Sequence, residues 1–228
     1  MPTMRRREFI LLAGAAATWP LAALAQQPSG RVFRIGILGA TSPGPAQVML
    51  NAFRDGMRER GYVEGQNLVI EYRAPGAASE QDVAADLMRG GYDVILAWTT
   101  PSVIAARRAT STIPIVFVGV ADPVGLGLVA SLARPGANVT GIANFATDLS
   151  GKMIEMLREI VPDARRLGAV RNPDNPGVTV QLRQLLDAGR ALGLELQVVD
   201  ARVPVEFQAA FAQLRQSGIQ GVVMLADS

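Results

Sequence analysis

The polar side chains best placed for ligand chemistry in this chain are hydroxyls and amides that directly follow short apolar segments. They are Thr41, Ser42, Thr99, Thr100, Ser102, Asn172 and Asn175. Such groups hydrogen-bond a polar ligand. A helix with Thr100 as its N-cap and Pro101 at its first position also attracts a carboxylate, through its unpaired N–H groups and its dipole. Each residue would equally serve as a plain helix cap. Only their convergence at one place favours a binding site.

Asp122 differs from these residues because it brings a negative charge. It follows the apolar segment IVFVG and precedes Pro123. Its carboxylate either binds the ammonium group of a ligand or caps the next turn, and the sequence leaves both roles open. Trp98, at the end of another apolar segment, similarly either lines an apolar pocket or packs in the core.

Two absences exclude much of enzyme chemistry. The 228-residue sequence has no histidine and no cysteine, so it lacks the commonest general base, a thiol nucleophile and thiolate metal ligands. Lys152 is the only lysine, and it lies in a helical pattern that predicts a solvated surface position. We therefore expect a protein that is not an enzyme and holds no cofactor or metal.

The elements that must position these side chains alternate between two hydrophobic periods, as expected for α/β folds with parallel sheets. Predicted strands cover residues 32–38, 68–72, 94–98, 115–118 and 139–143, and then 167–171, 194–199 and 221–225. Predicted helices lie around 49–57, from Ser79 with Asp82 at a capping-box spacing, and at 101–110, 126–132, 151–160, 178–192 and 205–216. Ligands of such sheets bind at the carboxyl ends of the strands, which is where the hydroxyls and amides fall.

The N-terminus carries the pattern of an export signal. Arginines 5–7 precede an apolar stretch that ends in Ala23, Leu24 and Ala25, which predicts cleavage after Ala25. A membrane anchor is the alternative, but Pro20 and the short apolar run disfavour a spanning helix. The arginines favour the twin-arginine route, with the general secretory route as the alternative. The signal carries a charge of +2, which equals the formal net charge of the whole chain. Its removal leaves a mature protein with a net charge near zero, so a nucleic-acid partner is not expected.

Three stretches of the chain resemble a known family. They are YVEGQNLVIEYR at 62–73, RATSTIPIVFVGVADPVGLGLVASLARPGANVTG at 108–141 and NPDNPG at 172–177. These stretches look like the ABC-transporter substrate-binding proteins of the TrpX-like family. The resemblance implies a periplasmic monomer with two Rossmann-like lobes, in the periplasmic-binding-protein-like fold, that closes on a small solute and delivers it to a membrane permease. Aromatic or branched amino acids are the implied solutes. The implied ligand loops contain Thr41, Ser42, Thr99 to Ser102 and Asp122 in the first lobe, and Asn172 to Asn175 in the second.

The resemblance also divides the chain and points to a difference. The expected parts are the signal at 1–25, an N-terminal lobe at 26–144 and a partial C-terminal lobe at 145–228. Members of the family continue beyond the VVMLADS stretch at the end of this chain. We therefore expect the second lobe to be incomplete, with marginal stability and weak ligand binding.

Two other functions remain open from the sequence. A dinucleotide enzyme is suggested by Gly36 and Gly39 after the first strand, although the motif lacks its third glycine and an acidic residue after the second strand. A sensor module that reports its ligand to a separate signalling protein is also compatible with the sequence.

Overall fold

The computed structural model describes residues 30–39, 43–76, 78–144 and 149–227. The predicted export signal, Thr41 and Ser42 lie outside the described residues. The strands, in chain order, are β1 Phe33–Leu38, β2 Leu68–Arg73, β3 Val94–Ala97, β4 Ile115–Ala121, β5 Val139–Asn144, β6 Arg166–Arg171, β7 Glu195–Asp200 and β8 Gly221–Met224. The helices are α1 Pro43–Glu59, α2 Glu80–Met88, α3 Thr100–Ala109, α4 Ser150–Ile160, α5 Pro176–Ala191 and α6 Pro204–Gln216.

The first five strands form one parallel sheet in the order β2-β1-β3-β4-β5. The order reverses between β1 and β3, because the chain leaves β1 in one direction to form β2 and returns past it to form β3. Right-handed crossovers then place α1 on one face of the sheet and α2 and α3 on the other. This first lobe therefore has a core on each face.

Different helices pack against the two faces of the first sheet and form its two cores. Leu50 of α1 is buried with Ile35, Ile37 and other residues on one face of the sheet. Leu87 of α2 and Val103 of α3 are buried on the other face with Phe117. Gly36 allows this packing, since a Cβ atom there would lie 2.9 Å from Ile95 Cδ1 and 3.1 Å from Leu87 Cδ2.

The last three strands form a second parallel sheet in the order β7-β6-β8. Its strand order reverses at β6, as the order of the first sheet reverses at β1. Helices α4 and α5 cover one face, with Ile154 and Leu185 fully buried. Helix α6 covers the other face through Ala210 and Leu214. The predicted fold class, an α/β protein with two parallel sheets, is confirmed.

Most predicted elements agree with the structure to within a few residues, and two predictions are wrong. The helix predicted at 126–132 is absent, because the chain forms successive turns there and Gly127 adopts a left-handed φ of 65°. Helix α3 begins one residue earlier than predicted. Thr99, not Thr100, is its N-cap and accepts a hydrogen bond from the Ser102 N–H at 3.0 Å.

The predicted capping box is confirmed. Ser79 is the N-cap of α2, and its hydroxyl oxygen accepts a hydrogen bond from the Asp82 N–H at 3.1 Å. Lys152 is exposed on the surface of α4, as its helical pattern predicted, and it pairs with Glu155 at 3.1 Å. Within the ranges that the structure describes, no helix is long and apolar enough to cross a membrane.

Candidate functional site

A cleft of about 550 Å³ opens between the two lobes at the carboxyl ends of their strands, within the volume range of small-molecule sites. The first lobe contributes Glu80, Thr99 and Pro101. The second lobe contributes Asn172, Asp174, Asn175, Ala201, Arg202, Pro204, Phe207 and Asp227. Of the residues that the sequence singled out, the structure brings Thr99, Asn172 and Asn175 together in this cleft.

The two lobes touch beside this cleft at the starts of α3 and α5. A Cβ atom on Gly177 would lie 2.9 Å from Thr100 Oγ1, so glycine lets the two helix starts approach closely. Thr100 is buried with only 5% of its surface exposed. It thus lies at the contact between the lobes and is not among the residues that line the cleft.

The first-lobe hydroxyls do not face a ligand freely, because they bond to one another. Thr99 Oγ1 donates to Ser102 Oγ at 2.7 Å, and Ser102 Oγ donates to Glu80 Oε2 at 3.1 Å. Ser102 is fully buried, so it lies behind the cleft. Both hydroxyls therefore orient the Glu80 carboxylate, which lines the cleft and was missed in the sequence.

The electrostatics of Glu80 reflect its position. Burial raises the pKa of the Glu80 carboxyl above its usual range, and the hydrogen bond from Ser102 acts in the opposite direction. Among the described residues no cation lies within salt-bridge distance of it. A negative charge without a counter-charge thus lines the first-lobe wall.

The second-lobe amides are likewise committed to a carboxylate. Asn172 Nδ2 and Asn175 Nδ2 each donate to one oxygen of Asp227 at 2.7 Å. Asn175 Oδ1 also caps α5 by accepting from the Gly177 N–H at 3.0 Å. The two asparagines therefore hold Asp227 in place after β8, and nothing near them in the sequence pointed to a partner more than fifty residues away.

The rest of the second-lobe wall combines a cation with an apolar surface. Arg202 Nε lies 3.4 Å from Asp174 Oδ2, and both side chains are largely exposed. Phe207, in the first turn of α6, lines the cleft beside Pro204 and also packs against the core on the α6 side of the sheet. At the start of α3, Pro101 has no N–H and Ser102 N–H is bonded, so among the described residues the Thr100 N–H is the first-turn amide without a partner.

Asp122 and Trp98 lie elsewhere. Asp122 has a φ of 45°, and its Oδ1 accepts a hydrogen bond from the Gly125 N–H at 2.8 Å. It caps its own turn and is not among the residues that line the cleft. Trp98 packs against Tyr72 with ring centroids 5.6 Å apart and joins the α1 side of the core.

Gly36 within β1 and Gly39 directly after it serve packing. A Cβ atom on Gly39 would overlap the Tyr72 ring, and one on Gly36 would meet Ile95 and Leu87. Core side chains occupy the space beside both glycines, so this space is not available to a pyrophosphate. The two glycines therefore do not support the dinucleotide-binding alternative. Within the described ranges, no group of three or more metal-ligating side chains occurs.

Comparisons with known proteins agree with this geometry. The family model described as ABC transporter substrate binding protein matches residues 36–228. A curated Tyrosine-binding protein of Clostridioides difficile is 31% identical over 146 residues, which are 63% of this chain and 42% of that protein. The chain thus spans less than half the length of this relative.

Solved structures share the fold. A conserved domain protein from Vibrio cholerae is 27% identical with a TM-score of 0.73, over 82% of this chain and 63% of that one. A Streptococcus pneumoniae ABC domain, solved in complex with L-Trp, is 20% identical with a TM-score of 0.75, over 86% and 66% of the two chains. At 20% identity the second likeness shows the fold alone.

Proposed function

Because the chain belongs to the ABC transporter substrate-binding protein family, we propose that it is the solute-binding component of an ABC importer. Its solute is an amino acid with an aromatic or branched side chain, held between the two lobes in the cleft at the strand ends. The observation that carries this proposal is the composition of the cleft wall, which pairs a carboxylate on one lobe with a guanidinium and an aromatic ring on the other.

A zwitterion fits the charges of this wall. Glu80 on the first lobe offers a negative charge, and Arg202 on the second lobe offers a positive one. The Arg202 guanidinium is held by a long, exposed pair with Asp174, a kind of pair that contributes little stability. It can therefore turn to a ligand carboxylate.

An apolar side chain on the ligand fits the remaining surface. Phe207, Pro101, Pro204 and Ala201 line the same cleft, and an aromatic ring stacks on or edge to face with a phenylalanine ring. The relative named for tyrosine favours an aromatic amino acid. Branched amino acids are the second choice within this class.

The cellular setting belongs to the same proposal. We place the protein in the periplasm after twin-arginine export and cleavage behind Ala25, with a membrane permease as its partner and a monomer as its working form. Residues 26–144 form the first lobe and residues 145–228 belong to the second. The protein closes on its solute without catalysis, since the sequence has neither histidine nor cysteine.

Isothermal titration of the purified chain with L-tryptophan, L-tyrosine and L-leucine tests the proposal. Phe207→Ala should weaken binding of L-tryptophan more than that of L-leucine, because the ring contact is lost. Phe211→Ala is the matched control, since Phe211 lies on the same helix, is 44% exposed and does not line the cleft. Absence of binding by the unmodified chain for all three amino acids would refute the proposed solute class.

A further inference from the structure

We propose that Glu80 is the residue that recognises the ammonium group of the ligand, so that the cleft selects amines over their deaminated analogues. This inference rests on the proposed function and adds the group by which the solute is chosen. It replaces the role that the sequence had suggested for Asp122, whose carboxylate caps its own turn outside the cleft wall.

Glu80 is a partly buried carboxylate that lacks a compensating charge. Its side chain accepts one neutral hydrogen bond from the described residues, from Ser102 Oγ to Oε2 at 3.1 Å. Removing a carboxylate from water without a cation is costly, and burial accordingly raises its pKa. A cationic group that enters the cleft would offset this cost, so the cleft is electrostatically suited to an ammonium.

The hydroxyl chain behind Glu80 fixes where its charge points. Thr99 donates to Ser102, and Ser102 donates to Glu80 Oε2, so both protons are directed toward the carboxylate. Ser102 is fully buried and Thr99 has 4% of its surface exposed, so the two hydroxyls are largely shielded from solvent. Oε1 accepts no hydrogen bond from another described residue and is left for a donor on the ligand.

The other carboxylates of the cleft are already engaged. Asp227 accepts two amide hydrogen bonds at 2.7 Å, from Asn172 and Asn175. Asp174 is paired with Arg202 and is largely exposed to water. All three carboxylates line the cleft, and Glu80 differs from the other two in having neither a cation nor an amide pair beside it, with one hydroxyl donor from Ser102.

The position of Glu80 at the start of α2 does not account for its orientation. Helix α2 has its own N-cap, since Ser79 accepts from the Asp82 N–H. The Glu80 carboxylate leaves its own helix and bonds to a residue of α3. A capping role would direct the carboxylate to the free N–H groups of α2 instead.

Matched ligand pairs that differ only in the ammonium group test the inference. The purified chain and its Glu80→Gln variant are titrated with L-tryptophan and indole-3-propionate, and with L-leucine and 4-methylpentanoate. Loss of a hydrogen bond to a charged group should weaken binding of the amino acids by about 10- to 150-fold. Binding of the deaminated acids should stay the same or improve, because a repelling carboxylate is removed.

Two further variants separate recognition from a general effect of charge or folding. Asp82→Asn removes the same charge from the exposed face of α2 and should leave all affinities unchanged. Glu80→Asp keeps the charge on a shorter side chain and should recover part of the amino-acid affinity. The ligand-free Glu80→Gln protein should unfold at no lower temperature than the parent, because it no longer buries a charge.

The outcomes distinguish this inference from the proposed function. Equal weakening of both members of each pair by Glu80→Gln would overturn the role of Glu80 and leave the receptor intact. The role of Glu80 is also overturned if the unmodified chain binds each amino acid and its deaminated analogue equally. If the unmodified chain binds neither amino acid, the proposed solute class fails, and the role of Glu80 fails with it.

Discussion

A single methyl group added at Gly177 tests whether the contact between the starts of α3 and α5 belongs to the ligand-bound state. The new Cβ atom would lie 2.9 Å from Thr100 Oγ1 and 3.2 Å from Asn175 Oδ1. Real Cβ atoms essentially never approach other atoms to 2.9 Å, so Thr100 or the whole α5 start must move. Because Thr100 belongs to the first lobe and Gly177 to the second, the overlap is relieved by separating the lobes.

The size of the effect follows from this overlap. One excess methyl group in a tight contact costs about 1–3 kcal/mol, which corresponds to a roughly 5- to 150-fold loss of the closed population. When only the closed form binds tightly, the apparent affinity falls by the same factor. Gly177→Ala should therefore weaken ligand binding in titration calorimetry by roughly this factor, while the free energy of unfolding without ligand changes by less than about 1 kcal/mol.

Gly151→Ala provides the control because Gly151 occupies the same position of α4 that Gly177 occupies in α5. Its Cβ atom would have Ala188 Cβ at 4.0 Å, which is ordinary van der Waals contact. This variant should gain about 0.5–1 kcal/mol of stability from helix propensity and bind ligand like the parent. The link between this contact and the ligand-bound state is refuted if Gly177→Ala binds as tightly as the parent, or if it loses as much folding stability as ligand affinity.

Three further predictions concern stability. Hydrogen bonds from the Tyr92 hydroxyl and from Arg73 lower the pKa of the Glu71 carboxyl. Ionised Glu71 therefore stabilises the folded state. This contribution is complete above pH 4.5, the ordinary pKa, and is lost as the pH falls through the lowered pKa. In urea unfolding, Glu71→Gln should lower the free energy of unfolding by about 1 kcal/mol at pH 7 and by less at pH 3. An equal loss at both pH values would contradict this role of Glu71. Leu214 is 1% exposed and packs beneath β6. Leu214→Ala should lower the free energy of unfolding by about 2–5 kcal/mol in the same assay. A smaller loss would contradict this prediction and would mean that neighbouring side chains move to fill the cavity. Asp122→Ala should lose about 1 kcal/mol of stability without any loss of ligand affinity in calorimetry, and a loss of affinity would restore Asp122 to the site.

The fold was predictable from the sequence because its two hydrophobic periods are clearly separated. Most strands contain a short run of valine, isoleucine or leucine and most helices have a polar face, so local patterns were enough to place them. The exception is the segment 126–132, whose apolar residues resemble a helix. Gly125 and Gly127 lie in or beside this stretch, and the left-handed φ of Gly127 at 65° ends any helical turn there.

The place of the candidate site was predictable, but the roles of its residues were not. Strand ends meet at one edge of a parallel sheet, and this rule alone brings Thr99, Asn172 and Asn175 to the cleft. Whether an amide faces a ligand or another side chain depends on a partner distant in the chain. Asp227, which occupies both asparagines, carries no local signal.

Glu80, in contrast, could have been found with the same rule. It begins the helix that follows β2, and every helix that follows a parallel strand begins at the ligand edge of the sheet. Because the strand order reverses at β1, α2 and α3 lie on the same face, where their starts are neighbours. An acidic residue at one start and hydroxyls at the other are then expected to meet, as the bond between Ser102 and Glu80 shows.

The two lobes hold their cleft carboxylates in physically different ways, and this difference bears on how the cleft works. Asp227 is exposed and accepts two amide hydrogen bonds, from Asn172 and Asn175. Glu80 is partly buried, has one hydroxyl donor, and its pKa is raised. Stability alone would favour a neutral side chain at position 80, since a glutamine there would keep the bond to Ser102 without burying a charge. A carboxylate at this position is therefore better explained by the ligand that it binds than by the fold that carries it.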